Sequence, residues 1–357
     1  MRAAVYRGLD QVVLEEVARP HVGPGEILMR VEACGICGTD LKKVAHGLVP
    51  PPRVFGHEMA GSVAEVGAGV TSLREGDRIA VVHHVPCRRC YLCAAGAYSQ
   101  CETYKRTGTT AGFVPAGGGM AEYVLALDWI VRDGVTRLPD DVSFEAATFL
   151  EPANTCLKAV RRARVRPGEK ALVLGQGSIG LLLLQLARLE GALAYGADFL
   201  DGRLAAATRL GATGTVNPAT QDALEPVMAW TEGRGMDLVF VAAASTAAVE
   251  QALRLCRPGG RVMLFAQTEA GEVAQVNLGA VCVLEKSLLG SYSSSIDLQP
   301  EVEDLVFSGR LDVASLVTHR FGLEEVGRAL RVASHPAEDS LKVVLLPHCS
   351  EGDAHAN

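Results

Sequence analysis

The sequence predicts an α/β protein of two parts, a small mostly-β domain and a doubly wound parallel-sheet domain within it. Three observations carry that expectation. At 357 residues the chain exceeds what one core ordinarily organises. Up to Val82 it alternates apolar and polar residues in short runs broken by glycine and proline, the pattern of antiparallel strands. From Lys170 onward apolar strand-like runs alternate with helical ones, the pattern of a parallel sheet.

In order, strands are expected at 3–6, 12–15 and 27–31, separated by Pro20 and the Gly23-Pro24-Gly25 turn. A helix-compatible run over 36–44 sets Cys37 at a helix entrance, where the dipole favours a thiolate. Strand patterning resumes over 61–67 and 77–82, so a partly closed barrel is the simplest reading. Composition shifts near Phe149-Leu150-Glu151-Pro152. A helix through 156–160 that ends before Arg166-Pro167-Gly168, a buried strand over 170–174, a glycine turn over 175–180 and a core helix over 181–189 follow. The alternation continues with strand 194–198, helix 203–210, strand 214–216, helix 223–230, strand 237–241, helix 249–255 and strand 261–265. After Ile296-Asp297-Leu298, a helical run over 301–308 and the stretch 317–321 lead to a strand over 342–346 that completes the first domain's barrel. His348 to Asn357 is a polar tail whose histidines and Cys349 read as solvated.

Charged residues at 21% and apolar residues at 48% describe a globular chain rather than a disordered one. A net charge of -7 leaves no basic stripe for phosphates, which sets nucleic acid aside. The opening Met1-Arg2-Ala3-Ala4-Val5-Tyr6 has no apolar leader pattern, so a cytoplasmic protein is expected. Ten cysteines in that setting argue for metal ligands and buried thiols over disulfides.

Their spacing points further. Cys37-Gly38-Thr39-Asp40 and Gly56-His57-Glu58-Met59-Ala60-Gly61 gather a thiolate, an imidazole and two carboxylates, a metal site in outline. A cysteine and histidine twenty residues apart are a weak signal alone, because buried cysteine behaves as a small apolar residue. Cys87, Cys90, Cys93 and Cys101 are a second cluster, spaced to close a tetrahedron around zinc with no position left open. That makes a structural site; an iron–sulfur cluster or two disulfides are the alternatives. With the metal satisfied by four cysteines, His83 and His84 read as polar strand residues. The turn Gly175-Gln176-Gly177-Ser178-Ile179-Gly180 has a strand before it, a helix after it and Asp198 eighteen residues beyond, the context a dinucleotide-binding turn requires.

On these residues, from 1 to 346, the chain resembles the zinc-dependent medium-chain dehydrogenase/reductase family, in its sorbitol (polyol) dehydrogenase branch. The resemblance implies a GroES-like catalytic domain over 1–153 with its zinc lobe at 87–101, a Rossmann NAD-binding domain over 154–290, and a return to the catalytic domain over 291–357. It implies two zinc ions per chain and NAD. Cys37, His57 and Glu151 match the catalytic zinc ligands; simple alcohol dehydrogenases carry cysteine at the third position. For Glu151 a helix N-cap or hinge carboxylate is the competing role. Glu58 matches the carboxylate beside the zinc, and Asp40 the acceptor that fixes His57. Thr39 matches the hydroxyl that first takes the substrate proton, a role compatible with a helix cap. The family's histidine at the relay exit is replaced by Lys42, with His46 four residues on. Cys34 reads as a buried bystander. Gly175, Gly177, Ser178, Ile179 and Gly180 match the pyrophosphate turn, and Asp198 the ribose acid, with Arg203 softening the selection against a 2′-phosphate. The implied activity is hydride transfer between NAD and a secondary alcohol, a polyol, sugar alcohol or cyclitol. A simple-alcohol or L-threonine-type dehydrogenase is the alternative, and a non-catalytic dinucleotide-binding zinc protein a more distant one. A homodimer or homotetramer acting on a small molecule, with no membrane partner, is expected.

Overall fold

In the structure, a computed structural model that describes residues 1–82, 84–106, 117–269, 271–337 and 340–349, the N-terminal alternation becomes two antiparallel sheets. Strands β1 (Arg2–Gly8) and β2 (Gln11–Glu16) form a hairpin, and β1 buries Ala3 to Tyr6. Strand β3 (Ile27–Gly35) is buried along most of its length and belongs to a different sheet. The short β4 (Arg53–Val54) returns to pair with β1. Strand β5 (Glu58–Val66) pairs antiparallel with β3, then β6 (Arg78–Val81) with β5. Two strands without a counterpart in the sequence reading, β7 (Tyr123–Ala126) and β8 (Val135–Arg137), pair with β3 and β6. Both are short, and a run of three or four residues shows too few repeats to reveal a period.

The helix Leu150–Ala163 ends before Arg166 as expected but starts ahead of Cys156, because Pro152 falls in its first turn, where the missing N–H has no helical partner to lose. The strands that follow are β9 (Lys170–Leu174), β10 (Leu193–Ala197), β11 (Gly214–Val216), β12 (Met236–Val241), β13 (Cys256–Leu264) and β14 (Ser287–Gly290). All pair in parallel in the order β11-β10-β9-β12-β13-β14, with helices between them. That is the doubly wound order, and its direction reverses between β9 and β12, where such sheets take ligands. Leu172, Tyr195, Val227, Val239 and Val262 share its core. Such side chains each stabilise by about 1.5–3 kcal/mol when fully buried.

The chain then adds β15 (Val317–Phe321) and β16 (Lys342–Leu345). Strand β16 pairs antiparallel with β3 and parallel with β15, extending the large sheet to β15-β16-β3-β5-β6-β8. Ile27, Met29, Phe55, Ile79, Ile130 and Phe321 lie in its core. His348 is not a solvated tail residue: its ring lies 5.9 Å from that of Tyr123, edge to face. The rest of the expected tail, from Ser350, lies outside the described residues, as does His83.

By contacts the chain forms two units, Met1–Pro152 with Ser294–Asn357, and Ala153–Ser293. Among the described residues no helix is long and apolar enough to cross a membrane.

Candidate active site and metal centres

Strand β3 ends at Gly35, opposite the first residue of β5, Glu58. The chain then enters the helix Gly38–His46 with Cys37 as its N-cap, which puts the thiol at the positive end of a helix dipole. His57 immediately precedes β5. The sulfur of Cys37, a ring nitrogen of His57 and a carboxylate oxygen of Glu58 lie within 4.8 Å of one another. Thr39 Oγ1 donates to Cys37 Sγ at 3.3 Å. Asp40 is buried in the first helical turn with Oδ1 3.3 Å from His57 Nδ1, which orients the ring and leaves Nε2 as the nitrogen for a metal. Burial opposes charge on His57, but Asp40 and the Cys37 thiolate outweigh it and hold its pKa well above the ordinary value. Burial likewise opposes charge on Asp40, and His57 with Lys43 overcomes it to lower that carboxyl. A thiolate, an imidazole and a carboxylate at this separation fit a tetrahedral zinc with one position open.

Glu151, 8% exposed, lies in the first turn of Leu150–Ala163 and shares with His57 a cavity of about 10 Å³, room for about one water. It stands outside the 4.8 Å group. Its Oε1 is 3.8 Å from His84 Nδ1, and that nitrogen is 3.3 Å from Ser294 Oγ. Burial, with the charge of Glu58 adding to it, pushes the Glu151 carboxyl up to about 7. Glu58 has a different partner, an ion pair with Lys342 of β16. Burial works against the Lys342 ammonium, but Glu58 and Cys37 raise its pKa above the usual lysine value. Cys34 is fully buried, and burial pushes its thiol well up.

The sulfurs of Cys87, Cys90, Cys93 and Cys101 form a second group within 4.8 Å, and all ten cysteines are free thiols. Cys90 caps the short helix Tyr91–Ala94, and the Cys87 N–H donates to Cys101 Sγ at 3.2 Å. Hydrogen bonds from the Thr103 hydroxyl and nearby backbone lower the Cys87 thiol to about 6. Burial raises Cys93 to about 12. Four sulfurs in one cluster suit a closed tetrahedral site.

After β9, Gly175 takes a left-handed φ of 92°, and Gly177 caps the helix Ser178–Leu189. A Cβ on Gly180 would collide with the Gly175 carbonyl oxygen, so this helix lies close against the turn only with glycine there. Asp198 follows β10 and accepts from the Gln176 N–H at 2.6 Å and the Leu200 N–H at 3.0 Å. Arg203 Nη1 is 3.8 Å from Asp198 Oδ2.

Residues 23–140 match the alcohol dehydrogenase GroES-like domain, and residues 178–308 match the zinc-binding dehydrogenase family. A sorbitol dehydrogenase of Bacillus subtilis is 31% identical over 354 residues, 98% of each chain. The chain belongs to the zinc-dependent medium-chain dehydrogenases, on their polyol dehydrogenase side. A probable D-xylulose reductase A of Aspergillus clavatus is 33% identical over 340 residues, 92% of each. A zinc-binding dehydrogenase of Sinorhizobium meliloti 1021, solved bound to NADP, superposes with a TM-score of 0.86 at 32% identity, covering 97% of this chain and 99% of that one. The protein is thus an oxidoreductase of the zinc alcohol/polyol dehydrogenase type.

Among the residues singled out in this dehydrogenase, the structure groups Cys37, His57 and Glu58, the four lobe cysteines, and the glycine turn with Asp198 and Arg203. Glu151 stands across the shared cavity, and Lys42 and His46 lie further along the Cys37 helix. His84 lies beyond the end of β6 and is therefore not a strand residue; it accompanies Glu151. Sequence reasoning missed that neighbour, and it missed Lys342. The signal for Lys342 was a lysine opening an otherwise apolar strand whose four residues are all buried.

Proposed function

We propose that the dehydrogenase oxidises a secondary alcohol, a polyol, sugar alcohol or cyclitol, with NAD as the hydride acceptor. The supporting observation is the carboxylate-rich surround of Cys37 and His57, with Glu58 within 4.8 Å and Glu151 across one small cavity. In this reading Cys37, His57 and Glu151 hold a catalytic zinc, and Cys87, Cys90, Cys93 and Cys101 hold a structural one. Residues 1–153 with 291–357 form the catalytic domain, and 154–290 bind NAD. When bound, zinc supplies a Lewis acid that lowers the pKa of a hydroxyl, and the nicotinamide supplies the hydride acceptor. One thiolate and one carboxylate balance the metal's charge, which suits an uncharged alcohol. The Thr39 hydroxyl, beside Cys37, receives the proton, and Lys42 or His46 on the same helix passes it outward. Gly175, Gly177, Ser178, Ile179 and Gly180 take the pyrophosphate at a helix N-terminus, and Asp198 takes the ribose hydroxyls. Arg203, close to that carboxylate, softens the preference for NAD over NADP.

The test is NAD-linked turnover across polyols, cyclitols, sugar phosphates, primary alcohols and threonine. The highest kcat/KM on a polyol or cyclitol supports the reading. A preference for primary alcohols or threonine would replace it with the simple-alcohol or threonine-type activity.

Self-association belongs to the same proposal. Strand β14 is the outer strand of its sheet, and the helix Leu278–Val283 that precedes it buries none of its residues, with Leu278 72% and Val283 81% exposed. A second copy is the occupant we assign to this apolar face. Ten free thiols are in keeping with a place in the cytoplasm.

A further inference from the structure

Strands β13 and β14 and the end of the helix Leu150–Ala163 border an open cavity of about 290 Å³, lined by Arg162, Ala163, Arg164, Arg261, Ser287 and Leu289. Half of that lining is arginine and none of it is acidic, in a chain whose net charge is -7. The three guanidiniums differ in what they already hold. Arg261 is satisfied: its Nη1 donates to the Ala163 and Arg164 carbonyls at 2.9 and 2.8 Å, and its Nη2 to Glu169 at 2.5 Å. The carbonyls it covers are those at the negative end of the helix, which would otherwise repel an anion. Arg162 donates Nε to the Gly290 carbonyl at 2.9 Å, which fixes the plane of its fork and leaves both Nη groups for another acceptor. Among the described residues no carboxylate pairs with Arg162 or Arg164. Arg164 ends the helix with a left-handed φ of 52°, where glycine is the ordinary residue. Residues two apart on a helix do not face each other, so this left-handed turn is what sets Arg164 on the same cavity as Arg162. The cavity lies at the amino ends of the strands, because Arg261 is level with Ser287 at the start of β14 and with Leu238, which is level with Ala171 near the start of β9. The glycine turn over 175–180 follows the other end of β9.

We propose that this cavity binds a small phosphate monoester, held by the Arg162 and Arg164 guanidiniums and the Ser287 hydroxyl, as a ligand separate from the cofactor and the alcohol. Two forks and a hydroxyl are donors converging on one place, which suits a dianion rich in acceptor oxygens; a lone carboxylate would occupy one fork and leave the other charge unmatched. Leu289 and Ala163 give the cavity an apolar wall for a carbon skeleton, and its volume is at the lower edge of small-ligand pockets. The negative charge of the rest of the chain disfavours a polyanion there. Nothing in the site draws on the zinc chemistry, so it is tested apart from the dehydrogenase reading.

The experiment is isothermal titration calorimetry on the full chain, with NADH in excess so that the phosphate probes do not enter the glycine turn. The probes are glycerol 3-phosphate, glucose 6-phosphate, inorganic phosphate, succinate and glucose. The parent is expected to bind at least one of the two esters, more tightly than inorganic phosphate or succinate, and to give no heat with glucose. Arg164→Gly and Arg162→Gln should each weaken ester binding by at least ~10-fold, the scale of one lost charge-assisted hydrogen bond. Arg164→Gly suits the left-handed position, so its Tm without ligand should equal or exceed that of the parent, and a loss of binding in it is not a loss of fold. Arg164→Lys retains the charge without the fork and should lose less than Arg164→Gly. No binding of either ester at millimolar concentration would overturn the proposal. Ester binding at parent strength in Arg164→Gly would overturn it too, since the phosphate would then sit elsewhere on the chain. Inorganic phosphate or succinate binding as tightly as the esters would overturn the assignment to a phosphate monoester.

Discussion

Two buried carboxylates near Cys37 and His57 differ in what faces them: Glu58 meets Lys342, and Glu151 meets His84. If Glu151 is a zinc ligand, Glu151→Ala should lower zinc from two to about one per chain and cut kcat by at least ~100-fold, more than an outer partner costs. If it only complements the positive end of its helix, the substitution costs about 0.3–1 kcal/mol of stability and leaves zinc and turnover intact. Metal analysis and a rate assay on that variant separate the two. In the proposed cofactor site, Asp198 is held by two backbone N–H groups, from Gln176 and Leu200. A charge-assisted hydrogen bond contributes about 1.5–3 kcal/mol, so Asp198→Ala should narrow the preference for NAD over NADP by roughly 10–100-fold. Equal kcat/KM for the two cofactors in the parent would refute the preference itself.

Among the elements, the segment carrying Cys87 to Cys101 brings four sulfurs within 4.8 Å of one another around the short helix Tyr91–Ala94. Cys90→Ser should release one zinc per chain and lower Tm, at about 2–4 °C for each kcal/mol lost in a domain of this size. Unchanged zinc content and melting would argue against the assignment. In the parallel sheet, Asp237 of β12 accepts from the Lys170 N–H at 2.8 Å and from Arg257 Nε at 2.6 Å, which ties β9, β12 and β13 together. Burial pushes its carboxyl up, but these bonds prevail and hold it below the usual aspartate range. A carboxyl with a depressed folded pKa contributes its stability fully above the unfolded value and loses it as pH falls through the folded one. Asp237→Asn should therefore cost about 1–3 kcal/mol in urea unfolding at neutral pH. Its deficit against the parent should shrink as the pH is taken below about 4. A deficit independent of pH would show that shape rather than charge matters there.

For the whole molecule, the apolar outer face of Leu278–Val283 predicts a dimer or tetramer by light scattering, and Val283→Asp should shift the mass toward the monomer. A monomeric parent would remove the proposal. That face also shows a limit of pattern reading, since a helix that buries none of its residues has no inward stripe to detect. The sequence by itself determined what neighbouring residues encode: the strand-turn-helix at Gly175 to Leu189, the alternation that makes a parallel sheet, and the four-cysteine loop. Each depends on spacing along the chain, so the chemistry is set before distant segments meet. Only the tertiary structure decided that Glu58 has joined Cys37 and His57 while Glu151 lies across a cavity. It also decided that Lys342 reaches the Ile36 carbonyl 306 residues away, and that His84 meets Ser294 across 210. Those pairings are fixed by the register of β3 against β5 and β16 and by the closing of loops around it. No local period specifies which distant side chain will stand opposite.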